Sequence, residues 1–288
     1  MDKNNNPKIT YQKGAEDEPN LGGKKYAFFE IKTKKWENTV YLYCSDVESS
    51  DVESSNEKKG IFAYMDHISI SVKACDTEKV TDMGYMFSDC RSLKELDLKI
   101  FNTKNVTNMR SMFCWCSSLT KLNLQNFNTP NVTDMGFMFS GCNSLIKLDL
   151  QNFNTSNVTD MTYMFHNCNS LTELDLTSFN TTKVTDMNGM FSMCSSLKKL
   201  DLQNFNPSNV TDMGFMFYGC SSLTKLDLNN FDTSKVTNMA YMFSKCSNLE
   251  ELDLNNFDTS KVERKKKMFD NCKKLHPDTI KKFLDEKK

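Results

Sequence analysis

The residues with the most chemistry to offer here are cysteines, and they are also the most regularly spaced. Cys90, Cys116, Cys142, Cys168, Cys194, Cys220, Cys246 and Cys272 follow one another every 26 residues, with no insertion or deletion. Thiols serve as disulfide partners, metal ligands or nucleophiles. In a short secreted chain, eleven cysteines would read as a disulfide framework. These eight, however, occupy one repeat position beside other apolar positions, and a free cysteine packs as a small hydrophobe. The spacing predicts a buried, reduced thiol ladder, with some disulfides as the alternative. Cys44, Cys75 and Cys114 lie outside the ladder. His67, His166 and His276 fall at unrelated repeat positions, so no metal cluster is expected.

A second column is acidic. Asp97, Asp149, Asp175, Asp201, Asp227 and Asp253 recur at the repeat spacing, with Asn123 in one copy. On adjacent strands about 4.8 Å apart such carboxylates form a ladder, able to recruit Ca²⁺ or a basic partner. The alternative is neutralisation by Lys121, Lys147, Lys199 and Lys225, each two residues earlier on the same face. A third column is aromatic: Tyr85, Phe137, Tyr163, Phe215 and Tyr241, interrupted by Ser111 and Gly189 and accompanied by Trp115 and Tyr218. A row of partly exposed aromatics suits a protein-binding ridge. Packing between adjacent turns explains it equally simply.

Methionines at 83 and 86 and their repeats are core filler beside phenylalanine. Asn105, Asn131, Asn157 and Asn209 each open an Asn-Val-Thr glycosylation acceptor, which matters only in a eukaryotic secretory pathway. Arg264 to Lys267 form a basic run at the end of the array. No nucleophile–base pair, phosphate loop or Cys-x-x-Cys metal signature is present, so an enzyme is not expected and no cofactor is implied. The net charge of −1, from 36 basic and 37 acidic residues, lacks the basic footprint of a nucleic-acid binder. No apolar run approaches the roughly 20 residues of a membrane span.

The elements that must hold these columns follow from the repeat. In residues 142–167, Leu148 and Leu150 alternate around Asp149 as a short strand. Phe153 and the polar run Asn154-Thr155-Ser156-Asn157 make a turn. Val158 returns inward, Thr159 resembles an N-cap, and Met161, Met164 and Phe165 share one face of a one-turn helix. Asp160 sits in its first turn. The fold class expected is an α/β repeat solenoid, a leucine-rich-repeat-like stack of short parallel strands and one-turn helices. Residues 1–24 read as a disordered tail. Residues 25–66 read as an N-terminal β cap of strands around a Lys-rich turn, with an acidic duplicated loop at 45–59. Residues 67–276 make about eight rungs, Ile70 standing one period before Leu96. Residues 277–288, with Ile280, Phe283 and Leu284 at helical spacing behind Pro277, read as a C-terminal capping helix.

The string L-x-x-L-D-L-x-x-F-N-T-x-x-V-T-D-M-x-x-M-F-x-x-C resembles the BspA-like leucine-rich-repeat surface proteins and related repeats of mycoplasma surface proteins of unassigned function. Leu93, Leu96, Asp97, Leu98, Phe101, Val106, Met109, Met112, Phe113 and Cys116 carry it, and it recurs to residue 257. The resemblance implies a cell-surface or secreted protein that adheres to protein or glycan ligands, host matrix proteins among them. The polar opening of the sequence lacks the apolar core expected of a signal peptide, and an intracellular interaction scaffold in the cytoplasm is the alternative.

Overall fold

The computed structural model describes residues 26–32, 37–43, 69–74, 77, 78 and 80–284. The polar tail, the Lys-rich turn, the acidic duplication, Cys44 and Cys75 lie outside the described residues.

Strands β1 (Tyr26–Lys32), β2 (Glu37–Tyr43) and β3 (Ser69–Ala74) join β4 (Glu95–Asp97) and β5 (Lys121–Asn123) in one sheet of order β2-β1-β3-β4-β5. The first three pair antiparallel, with a register shift between Phe28 and Phe29. From β3 onward pairing is parallel, with Ile70 opposite Leu96 and Leu96 opposite Leu122. Parallel pairing at one repeat per strand is what stacked copies of a 26-residue unit require. Farther along, β6 (Lys225–Asp227) and β7 (Glu251–Asp253) form a second parallel pair, Leu226 against Leu252. In the rungs between, residues 147–149, 173–175 and 199–201 are not strands, although Leu148, Leu174 and Leu200 point inward.

Continuous inter-rung bonding lies elsewhere in the repeat. Parallel bridges link Asp82, Asn108, Asp134, Asp160, Asp186, Asp212, Asn238 and Arg264 in one unbroken series. The segment that follows each of these residues is not the expected one-turn helix. In residues 161–168, the amides of Met161, Tyr163, Phe165 and Asn167 donate to Asp186, Asn188, Met190 and Ser192 carbonyls of the next rung, at 2.7–3.2 Å. The intervening amides of Met164, His166 and Cys168 close four-residue turns onto the Met161, Tyr163 and Phe165 carbonyls. Every amide is used, alternately within the rung and between rungs. A helix would spend them all internally and leave the neighbouring rung's carbonyls unpaired. The alternation requires two left-handed residues per rung, such as Tyr163 (φ 52) and Asn167 (φ 60). Because the inward positions remain i, i+3 and i+4, the apolar pattern cannot separate this turn ladder from a helix.

The core is a bundle of columns. Phe87, Phe113, Phe139, Phe165, Phe191, Phe217, Phe243 and Phe269 stack ring on ring, centroids 5.6–5.8 Å apart and planes within 14°. Methionine, leucine and valine columns surround it. None of the described cysteines is joined in a disulfide. Each ladder thiol from Cys116 onward donates to the phenylalanine carbonyl 29 residues earlier, as Cys168 Sγ does to Phe139 at 3.1 Å. Cysteine fits the position because it is small and apolar yet carries one weak donor. The helix α1 (Pro277–Leu284) lays Phe283 against Phe257 and Phe269 at the end of the stack.

Candidate binding ridge

The expected strand-face acid ladder is accounted for by the backbone. Asp97, Asp149, Asp175, Asp201, Asp227 and Asp253 each accept the amide of the residue two positions on, at 2.9–3.1 Å. Asn123 does the same for Gln125. An Asx turn needs the side-chain oxygen, not the charge, so Asn and Asp interchange there. The bond from Thr177 holds the Asp175 carboxyl below its ordinary pKa. The lysines take other partners than expected. Lys121 pairs with Glu95 at 2.7 Å and Lys225 with Glu251 at 2.8 Å, each one rung away in its own column. Lys147 reaches Glu173 at 4.0 Å. Side-chain spacing along a strand favours the same column of the next rung over residue i+2.

The aromatic ridge sits on the first left-handed position of each turn ladder. Tyr85, Phe137, Tyr163, Phe215 and Tyr241 all have φ between 56° and 60° except Tyr163 at 52° and all are half-buried. The interruptions share that geometry: Ser111 at φ 55° and Gly189 at φ 62°. The structure brings four of the five together as two stacked pairs. Phe137 and Tyr163 lie 5.2 Å apart, and Phe215 and Tyr241 lie 4.8 Å apart. These four rings pack on one another between adjacent turns and remain partly exposed. Tyr85 stands apart beyond Ser111. Trp115, 38% exposed, belongs to the second left-handed column, four positions along, where it lies over Gly141 and under Arg91. His166 and Tyr218 flank the ridge in T-shaped contacts with Tyr163 and Phe215. Burial lowers the pKa of His166, and its Nδ1 has no hydrogen-bond partner.

Directly beside the ridge runs an acid column that the spacing of the strand-face ladder did not suggest: Asp82, Asp134, Asp160, Asp186 and Asp212, with Asn108 and Asn238. The nearest signal was Asp160 placed at the start of a helix. Each side chain accepts the amide two residues on, as Asp186 does from Asn188 at 2.8 Å. Asp134, Asp160, Asp186 and Asp212 are half-buried, whereas Asp82 is exposed, and burial raises the pKa of Asp134 and Asp186. Arg110 spans two of them, with Nη1 at 2.9 Å from Asp160 and 3.4 Å from Asp134. Its guanidinium lies over Phe137, 5.0 Å from the ring centroid. Burial opposes the charge on Arg110, but Asp134 and Asp160 outweigh it and raise its pKa. Burial, followed by Asp212 and Asp186, pushes the Tyr163 hydroxyl up as well. Among the described residues no three His, Cys, Asp or Glu side chains are placed to hold a metal ion, and no helix is long and apolar enough to cross a membrane.

Parallel-stacked 26-residue rungs, with paired rings beside a carboxylate column, define a repeat protein whose distinctive surface is a ridge rather than a pocket. The chain belongs to the family described as Mycoplasma protein of unknown function, DUF285, whose model matches residues 32–145, 114–200 and 192–286. The resemblance of the repeats to those of mycoplasma proteins of unassigned function is thereby borne out. Among solved structures, a leucine-rich cell surface protein from Faecalibacterium prausnitzii A2-165 is similar at 16% identity, over 67% of this chain and 74% of that one, with a TM-score of 0.24. No curated protein matches the chain.

Proposed function

We propose that the chain is a non-catalytic protein-binding module of an adhesive cell-surface protein, a capped solenoid that recognises its ligand through the aromatic ridge. The observation that carries this reading is the pair of half-exposed ring stacks, Phe137–Tyr163 and Phe215–Tyr241, fixed on left-handed turns. Rigid aromatics lose little rotamer freedom on binding and dominate hot spots. The strand face supports the choice of ridge, because its aspartates are engaged in turns and Lys121 and Lys225 in close glutamate pairs.

The test is a binding screen against immobilised host matrix proteins, repeated with Tyr163→Ala and Phe215→Ala and with Asp149→Ala as a strand-face control. The ridge variants should each weaken binding roughly tenfold or more, about the effect of removing a hot-spot aromatic. The control should bind as the parent does. Equal binding by the ridge variants removes the ridge from consideration. An intracellular scaffold is the second reading, favoured by the free thiols, which persist in reducing compartments. Protease shaving of intact cells separates the two, since only a surface protein is cleaved.

A further inference from the structure

The alternating amide ladder stops at the last rung, and what it leaves there is one-sided. In each earlier rung the turn ladder donates every second amide to the rung that follows. In the last rung the corresponding donors are the Lys267, Phe269 and Asn271 amides, and they find no acceptor among the described residues. The carbonyls of the same segment are all engaged. Those of Lys266, Met268 and Asp270 accept the Tyr241, Phe243 and Lys245 amides of the rung before, at 2.7–3.0 Å. Those of Lys265, Lys267 and Phe269 accept the turn amides of Met268, Asp270 and Cys272. An ordinary sheet edge offers unpaired donors and acceptors together. This edge offers donors alone. The helix α1 lays Phe283 on Phe257 and Phe269 and accepts none of these amides.

The side chains along the edge also change sign. The column that carries Asp or Asn from residue 82 to residue 238 ends in Arg264. Lys266 and Lys267 stand where the rung before has Ala240 and Tyr241. Arg264, Lys266 and Lys267 are exposed, and no carboxylate pairs with them among the described residues. Lys274, farther along the rung, is held by Glu250 at 2.8 Å.

We propose that this C-terminal edge of the turn ladder docks an acidic peptide segment of a partner protein. The segment's backbone carbonyls accept the Lys267, Phe269 and Asn271 amides, and its carboxylates pair with Arg264, Lys266 and Lys267. Adding a segment to an open edge is a recurring mode of peptide capture, and successive N–H groups directed to one side favour negative charge. The inference stands apart from the ridge reading. A second copy of the chain does not fit as the occupant. Two such edges would set donors against donors and cations against cations. At the opposite end of the stack Phe87 is fully buried, so that end is closed, whereas Phe269 is only half-buried.

The test is a titration of the full chain with a peptide of alternating glutamate and threonine and with its glutamine counterpart, read by amide chemical shifts and hydrogen exchange. The glutamate peptide should bind roughly tenfold more tightly or better, the effect of losing several exposed charge pairs. It should shift the Lys267, Phe269 and Asn271 amides and slow their exchange. Arg264→Asn combined with Lys266→Ala restores the residues of the preceding rung, so the fold should hold while binding weakens several-fold. Polyphosphate, the probe for charge alone, should leave the exchange of these amides fast. Equal binding of the two peptides, binding undiminished in the double variant, or no binding at millimolar glutamate peptide would each overturn the proposal. So would a glutamate peptide that binds without slowing the exchange, or a polyphosphate that slows it equally, since the edge would then recognise charge and not a peptide backbone.

Discussion

The ladder cysteines act as donors as much as hydrophobes, and their burial has a measurable electrostatic consequence. Burial pushes the thiols up from their ordinary value of 9.0, to about 12 for Cys194, and Cys168 and Cys220 are raised well above it. Cys114 and Cys272, less deeply buried, rise to about 11. The sign follows from proton binding. Above about pH 9 the unfolded chain loses thiol protons that the folded chain retains, so this contribution is intact below that pH and lost as pH rises toward the folded values. Each buried thiol contributes a loss of up to about 1.4 kcal/mol per pH unit in that window. Denaturant unfolding between pH 8 and pH 10.5 should show a steep decline. Cys168→Ala should make the decline shallower by about one thiol's share, whatever it does to stability at pH 8. An unchanged slope would mean that Cys168 ionises equally in both states.

The turn ladder is the element on which the ridge depends, and its left-handed positions make a sharp comparison. Gly189 and Gly219 both have positive φ, 62° and 72°. A Cβ on Gly219 would meet only the flexible Met193 Sδ, at 2.7 Å, whereas at Gly189 it would strike the Tyr163 ring. Gly219→Ala should therefore cost about 1–2 kcal/mol for the left-handed backbone alone. Gly189→Ala should cost more, and Tyr163→Ala in the same chain should return it toward the Gly219→Ala value. Equal costs for the two single substitutions, read from thermal unfolding, would show that the ring yields freely. This element was also the one least legible in the sequence. The columns themselves could be read directly: 26-residue spacing set the register of Ile70 against Leu96, and the inward Leu, Met, Phe and Cys positions are the buried ones. The choice of turn ladder over helix could not be read from apolar spacing, because Met161, Met164 and Phe165 face inward in both. A signal was present at the second left-handed column. Asp89, Gly141, Asn167, Gly219 and Asn271 are residue types that tolerate positive φ. The ridge residues were legible as a column, but not the acid column beside it, since its role depends on that backbone. The lysine pairing was misread because sequence distance within a rung is a poor guide to distance between rungs.

At the scale of the molecule, one stacking interface is used repeatedly, and the differences between rungs lie on its surface. The phenylalanine stack, the thiol-to-carbonyl bonds and the alternating amide ladder are the same at every step. A rung should therefore be removable in register, as nearest-neighbour stacking allows. The most direct measurement is unfolding of a chain lacking residues 170–195, compared with one lacking residues 170–182. The first excision removes one full period with Asp186 and Gly189, joins matching columns and sets Phe215 next to Tyr163. It should unfold cooperatively with a far-ultraviolet spectrum per residue like the parent's. The second excision removes half a period and should not fold. If the full-period chain is as unfolded as the half-period one, or if both fold alike, the account of interchangeable stacked rungs carrying a variable ridge is contradicted.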